Sequence, residues 1–205
     1  ASVRDTIQLL SNSRKATVIY RLIPRTPYHI NKVEYLLEDD RLGKIILSDT
    51  LHSFLKLKAN YDEEKLLAEQ QRITDLAQNN GYFSFENAFL DFLIDSSAQN
   101  NSVAIKVHIK KFARPFSSSN DSLIFVSHPQ YSIENVFVIP EAIVGNIKNA
   151  SFTDTLKSKK GNLLFLLNKP LQYRELLFNN NINIYPDHLF KRDTAQKTYK
   201  QLQGV

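Results

Sequence analysis

The chain has 205 residues, 42% of them hydrophobic and 23% charged, which is the balance of a folded chain with room for one ordinary domain or roughly two or three small ones. Its net charge of +5 is spread over short groups such as Lys56 and Lys58, Lys106 to Lys111 and Lys157 to Lys160; it reads as a solvated surface, with a weak preference for anionic partners as the alternative. There is no cysteine, which excludes a disulfide framework and a thiolate metal site, and apolar runs such as Phe89–Ile94 and Leu163–Leu167 are too short to span a bilayer as helices.

Residues Ser2 to Leu10 and Lys15 to Ile23 read as two strands joined at Ser11–Arg14. Ala1 begins directly on this alternating pattern, with no signal peptide and no Met anywhere, and the chain stops at Val205 without a closing element, so a piece cut from a longer protein is expected. Next, Val33, Tyr35 and Leu37 alternate with polar neighbours as in a half-buried strand, and Leu42, Ile45 and Ile46 fit one face of a short helix.

The strongest helix signal runs from Asp62 to Asn80. Asp62 is a good N-cap, Glu63 and Glu64 complement the helix dipole, and Tyr61 can staple onto Leu66. Leu66, Ile73, Leu76 and Ala77 form the expected buried stripe, and Asn79-Asn80-Gly81 is a stop signal. Two strands follow. In the first, Ala88, Leu90, Phe92 and Ile94 face one way, and Phe89, Asp91 and Leu93 the other. In the second, Val103, Ile105, Val107 and Ile109 alternate with Ala104, Lys106, His108 and Lys110. The polar stretch 95–101 connects them. Beyond this, Pro115–Asp121 reads as an irregular entry, Val136 to Ile139 as a strand, and a final helix starts near Asp193.

An internal repeat links these parts. Tyr28-x-Ile30-x-x-Val33 matches Tyr131-x-Ile133-x-x-Val136, and Ile73 and Leu76 follow Tyr61 at the spacings by which Leu202 and Val205 follow Phe190. The expected parsing is therefore the last hairpin of one unit in 1–25, a complete β-α-α-β-β unit in 26–113, and the start of a third in 114–205.

Catalytic and ligand motifs are missing from the sequence. His29, His52, His108, His128 and His188 have no metal-ligand spacing, the Asp91 and Asp95 pair reads as solvent alternation, and five glycines leave no phosphate-cradling loop. No cofactor and no metal are expected. The sequons Asn100-Asn101-Ser102 and Asn149-Ala150-Ser151 are short enough to arise by chance. The strand Ala104 to Lys110 shows Lys and His but no aromatic on its polar face, which argues against nucleic acid as a partner.

The series Tyr61-Asp62, Arg72-Ile73, Gly81-Tyr82-Phe83-Ser84-Phe85 and Asp91-Phe92 resembles the POTRA repeats of the BamA/TamA superfamily, in the form common in its Bacteroidota branch. The segment Leu163–Arg174 followed by Ile182–Pro186 resembles an insertion found in that branch. Two departures stand out: Lys58-Ala59-Asn60 lies where the family has a Gly, and Pro186-Asp187 where Pro-Gly is common. The resemblance implies an α+β array of POTRA domains, each a three-stranded mixed sheet covered on one face by two helices. It implies a non-enzymatic periplasmic region attached to a C-terminal outer-membrane barrel, with unfolded outer-membrane proteins as clients and periplasmic or lipoprotein subunits as accessory partners.

If the last strand of such a unit is central, the strand before it is an edge. The segment Asn87, Ala88, Phe89, Leu90, Asp91, Phe92, Leu93 and Ile94 has one charge and no Pro or Lys, and is the expected client-strand edge, with Phe89 and Leu93 on the open face. The alternative is that a neighbouring unit or loop covers it. Two rival functions remain: a passive scaffold that docks accessory subunits, and a fragment of an unrelated α+β enzyme.

Overall fold

The computed structural model describes residues 2–9, 16–24, 26–97, 100–117, 120–140 and 152–204. The turn at Ser11–Arg14, the sequon at Asn149–Ser151 and Val205 lie outside the described residues. Strand β1 (Ser2–Leu9) pairs antiparallel with β2 (Ala16–Ile23), with Val3 opposite Leu22 and Ile7 opposite Val18. Strand alternation puts these four side chains on one face, together with Tyr20. All five are exposed, Leu22 by 67%. The hairpin forms a two-stranded sheet of its own.

The middle unit follows the expected order. It runs β3 (His29–Leu37), α1 (Asp40–Ser48), α2 (Glu63–Asn79), β4 (Leu90–Asp95) and β5 (Ser102–Ile109). β5 is central, parallel to β3 and antiparallel to β4. Its alternation is the clearest in the chain because both neighbours are strands and one face meets helices: Val103, Ile105, Val107 and Ile109 are all buried. They join Leu42 and Ile46 of α1 and Leu66, Ile73 and Ala77 of α2 in one core. Asp39 caps α1 by accepting from the N–H groups of Arg41 and Leu42, and Asp62 caps α2 by accepting from that of Glu64.

The buried stripe of α2 differs from the expected one at three positions, one of them Thr74, which is buried without having been expected. Leu76 is only partly buried, whereas Glu69 is wholly buried, one turn after Leu66 and one turn before Ile73. Its carboxylate accepts from the Phe54 N–H at 2.9 Å and from Arg72 at 2.7 and 3.0 Å. Arg72 also pairs with Asp49, so the two residues tie the α1–α2 connection to the helix. Burial acts against the Arg72 charge; Glu69 and Asp49 outweigh it and hold the guanidinium above its ordinary pKa. The Tyr35 hydroxyl beside this group is pushed up by burial, against a hydrogen bond with Ser53 and with the Glu69 charge adding to the rise. In urea melts, Ile73→Ala is expected to cost about 2–5 kcal/mol and Leu76→Ala distinctly less, because only Ile73 leaves a closed cavity.

The stretch read as an irregular entry is a hairpin. β6 (Phe112–Ser117) pairs antiparallel with β7 (Asn120–Val126), and the boundary drawn after residue 113 falls inside β6. The third unit then places β8 (Phe137–Val138), β9 (Asp154–Lys157) and β10 (Leu164–Leu167) in the order β8-β10-β9, followed by α3 (Glu175–Asn181) and α4 (Arg192–Gln203). β10 is parallel to β8 and antiparallel to β9, the pairing senses of the middle sheet. Its core is small: Leu163, Phe165, Leu167 and Ile182 are buried, with Phe178 of α3 against them.

The internal repeat extends to the backbone. In the middle unit the Ile30 N–H donates to Ala59, the Lys58 N–H to Ile30, and the Tyr61 N–H to Tyr28. In the third unit the Ile133 N–H donates to His188, the Asp187 N–H to Ile133, and the Phe190 N–H to Tyr131. Both versions need a left-handed residue, and Lys58 (φ 66°) and Asp187 (φ 61°) supply it. A Cβ in that region costs roughly 1–2 kcal/mol, offset in part by the greater chain entropy of glycine. Lys58→Gly is expected to stabilise the middle unit by up to about 1 kcal/mol, read from the urea midpoint.

The Gly81-Tyr82-Phe83 turn joins the two units. Tyr82 is buried in the middle core, while Phe83 lies edge-on to Tyr131 and Phe190 of the third unit. The Tyr131 N–H donates to the Gly81 carbonyl at 2.8 Å, and Arg192 pairs with Asp75. The N-terminus of α4 has no cap from Lys191; Asn79 of α2 accepts the Asp193 N–H instead. Gly81 is required twice over: its φ is +92°, and a Cβ there would lie 2.8 Å from Gln130 Cγ and 3.2 Å from Leu189 Cδ2. Gly81→Ala should weaken the junction by about 1–2 kcal/mol. Faster hydrogen exchange at the Tyr131 amide, with Ile105 unaffected, is the expected result.

Candidate functional site

The expected edge divides at Leu90. Asn87–Phe89 form a 3-10 turn, and β4 begins only at Leu90. The physical reason lies on α2, where Gln70, Thr74 and Gln78 recur every four residues and share a face. Gln70 donates to the Asn87 carbonyl at 3.0 Å, Thr74 to the Asn87 side-chain oxygen at 2.7 Å, and Gln78 to the Phe85 carbonyl at 2.8 Å. The Asn87 carbonyl also takes the Leu90 N–H. The chain there bonds to its own helix and is not an open strand.

Phe89 is likewise not on the open face. It packs against the core, its ring 4.7 Å from that of His128 and 5.7 Å from that of Phe85. His128 lies in the segment after β7 and is buried. Its Nε2–H donates to the Lys110 carbonyl, and its backbone N–H donates to Asp39 Oδ2 at 2.7 Å. Asp39 thus caps α1 and holds the inter-unit segment with the same carboxylate. Ala88, expected to face the helices, is exposed; Leu90 is buried and Phe92 half-buried, while Ile94 is 41% exposed.

From Leu90 to Asp95 the chain forms the strand β4, which takes in the part of the expected segment from Leu90 to Ile94. β4 is the outer strand of its sheet, and among the described residues no strand pairs with its other side. The direction of its backbone groups follows from one bond: the Lys110 N–H donates to the Phe89 carbonyl, so Phe89, Asp91, Leu93 and Asp95 turn toward β5. Phe92 and Ile94 therefore turn both N–H and C=O outward, and Leu90 turns its C=O. Leu93, on the face away from the helices, is 55% exposed. Around it the open face carries ion pairs of Lys32 with Glu34 at 2.5 Å and Lys110 with Asp91 at 3.2 Å, and a hydrogen bond between His108 Nε2 and Glu38 at 2.7 Å. The bond to Lys32 holds the Glu34 carboxyl below its ordinary pKa. A groove of about 430 Å³ at the Ile94 end is lined by Phe92, Leu93, Ile94 and Lys106.

The opposite edge, β3, is closed at its start, where His29 bridges Asn60. Among the described residues there is no group of three or more His, Asp or Glu that could hold a metal, and no helix long and apolar enough to cross a membrane.

No family model and no curated protein matches the chain. Among solved structures, the chain is similar to POTRA domains 3 to 5 of BamA from Haemophilus influenzae, with a TM-score of 0.48 at 10% identity, covering 98% of this chain and 59% of that one. It is also similar to POTRA domains 1 to 3 of the periplasmic domain of Omp85 from Anabaena, with a TM-score of 0.26 at 12% identity, covering all of this chain and 64% of that one. A third likeness is to the N-terminal domain of Omp85 from the cyanobacterium Thermosynechococcus elongatus, with a TM-score of 0.24 at 9% identity over 85% of each chain.

The ties from α2 to residues 85–89 were not expected from the sequence. The signal was present in the spacing of Gln70, Thr74 and Gln78, but glutamines on a helix bordering a core read as solvent contacts. Glu69 was missed in the same way.

Proposed function

We propose that the chain is the periplasmic region of an outer-membrane assembly or export protein of the BamA/TamA kind, from a Bacteroidota-type branch, and that it captures client polypeptides rather than catalysing a reaction. One observation carries this: β4 presents the outward backbone groups of Phe92 and Ile94 on an unpaired edge with exposed Leu93 beside it. An edge with free donors and acceptors is a hazard unless it is blunted or used. Here the blunting is slight, since β4 has no Pro and no Lys, and its acidic residues Asp91 and Asp95 flank the free groups.

A client strand pairing with Phe92 and Ile94 would satisfy their backbone and lay apolar side chains beside Leu93. Main-chain pairing is indifferent to sequence, which suits a carrier of many unfolded barrel precursors. The clients, a C-terminal barrel in the parent protein and accessory subunits are all parts of this reading.

A second reading has support of its own. The hairpin β6–β7 exposes Phe116, Leu123 and Phe125, a surface suited to a folded accessory subunit, so the chain could act as a scaffold. A photo-reactive residue placed at Leu93, and in a separate variant at Phe125, separates the two. Cross-links from position 93 to unfolded barrel peptides are expected. Cross-links to accessory subunits from position 125, with none to clients from position 93, would favour the scaffold.

A further inference from the structure

The surface of the third unit that receives the Gly81-Tyr82-Phe83 turn has a second copy in the middle unit. On the third unit it consists of Tyr131, whose N–H meets Gly81, the Phe190 ring against Phe83, and Arg192, paired with Asp75. The repeated hydrogen bonds make Tyr28 the counterpart of Tyr131 and Tyr61 that of Phe190. The Phe190 N–H donates to Tyr131 at 3.0 Å as the Tyr61 N–H donates to Tyr28 at 2.7 Å. The residue two past Phe190 is Arg192, and the residue two past Tyr61 is Glu63, each the first residue of its helix. Among the described residues no turn enters this second copy.

The hairpin β1–β2, which ends five residues before Tyr28, exposes Val3, Ile7, Val18, Tyr20 and Leu22 on one face. A lone two-stranded hairpin is at best marginally stable in water. Its counterpart in the repeat is the hairpin β6–β7, which ends five residues before Tyr131 and likewise exposes Leu123 and Phe125.

We infer that Tyr28, Tyr61 and Glu63 form a docking socket for the helix end and Gly-aromatic turn of another β-α-α-β-β unit, one that carries Lys or Arg where α2 carries Asp75. The charge is the selective element. Arg192 pairs with Asp75 in the filled junction, and Glu63 in its place would repel an acidic helix end. The occupant need not supply the counterpart of Asn79, because Asp62 already accepts the Glu64 N–H at 3.0 Å. A second copy of this chain is a poor occupant, since its own turn is engaged and its Asp75 would face Glu63. The inverted charge fixes the order in which such units stack. Client capture at β4 is not required for any of this.

The test uses the isotope-labelled 205-residue chain and two helix-stapled peptides of sequence 70–85, one unaltered and one with Asp75→Arg. The Arg peptide should shift the Tyr28, Tyr61 and Glu63 amides and bind roughly threefold or more tighter than the Asp peptide, the range of an exposed ion pair. In Glu63→Arg the preference should reverse, and in Glu63→Gln, which leaves the Asp62 cap intact, it should vanish. Absence of shifts at Tyr28 and Tyr61 at millimolar peptide, or equal binding of both peptides to the unmodified chain, would overturn the socket. Shifts along Leu90–Asp95 alone would overturn it too, while leaving client capture standing.

Discussion

Arg72→Leu is expected to destabilise the middle unit by about 3–5 kcal/mol, one of the largest effects of any single change in the chain. Glu69 is fully buried, and Arg72 supplies two of the hydrogen bonds to its carboxylate. Without the guanidinium a negative charge is left in the core with, among the described residues, only the Phe54 N–H as partner. Its desolvation is then uncompensated. The double variant Glu69→Leu/Arg72→Leu should recover most of the loss, because an apolar pair of similar volume is often as stable as a buried ion pair. Urea melts of the three variants check this; a single Arg72→Leu cost below about 1 kcal/mol would show that water reaches Glu69.

The second large effect is a contrast between two prolines in β4. Asp91 turns its N–H toward β5, so Asp91→Pro removes a ladder bond and should cost about 3 kcal/mol or more. Ile94 turns its N–H outward on an edge strand, where proline is tolerated, so Ile94→Pro should change stability by about 1 kcal/mol or less. It should nonetheless weaken client binding about tenfold, since it removes one of two outward donors and adds a ring against the incoming strand. Unfolding of Ile94→Pro with Asp91→Pro tolerated would mean that the strand phase is reversed. Unchanged peptide affinity in a folded Ile94→Pro variant would mean that clients bind elsewhere.

The strands legible in the sequence were those with one face on helices and long enough for alternation to register. β3 and β5 are of this kind, and so is α2, whose Asp62 cap, acidic first turn and Asn-Gly stop each act within a few residues. The edge was legible only from Leu90 onward. Alternation continues through Ala88, but side chains of α2, distant in sequence, capture residues 85–89 into a turn. Period alone cannot report a long-range hydrogen bond. Glu69 was hidden because a carboxylate inside a stripe reads as a gap; the unfilled interval between Leu66 and Ile73 is the trace it leaves. The hairpin β6–β7 was obscured by Pro115 and a Ser/Asn-rich tip, and β9 and β10 by their length, whereas β8 falls inside the expected strand Val136 to Ile139. The two repeat motifs were more informative, because Tyr28 and Tyr131 perform the same backbone task, as do Lys58 and Asp187.

The most direct test of client capture is an NMR titration of the labelled chain with short peptides of alternating apolar and polar residues. The largest amide shifts should fall within Leu90–Asp95, led by Phe92 and Ile94, with little change in α1 and α2, and Ile94→Pro should remove them. Shifts confined to the helices, with none along residues 87–95, would contradict the edge mechanism and leave the scaffold reading in its place.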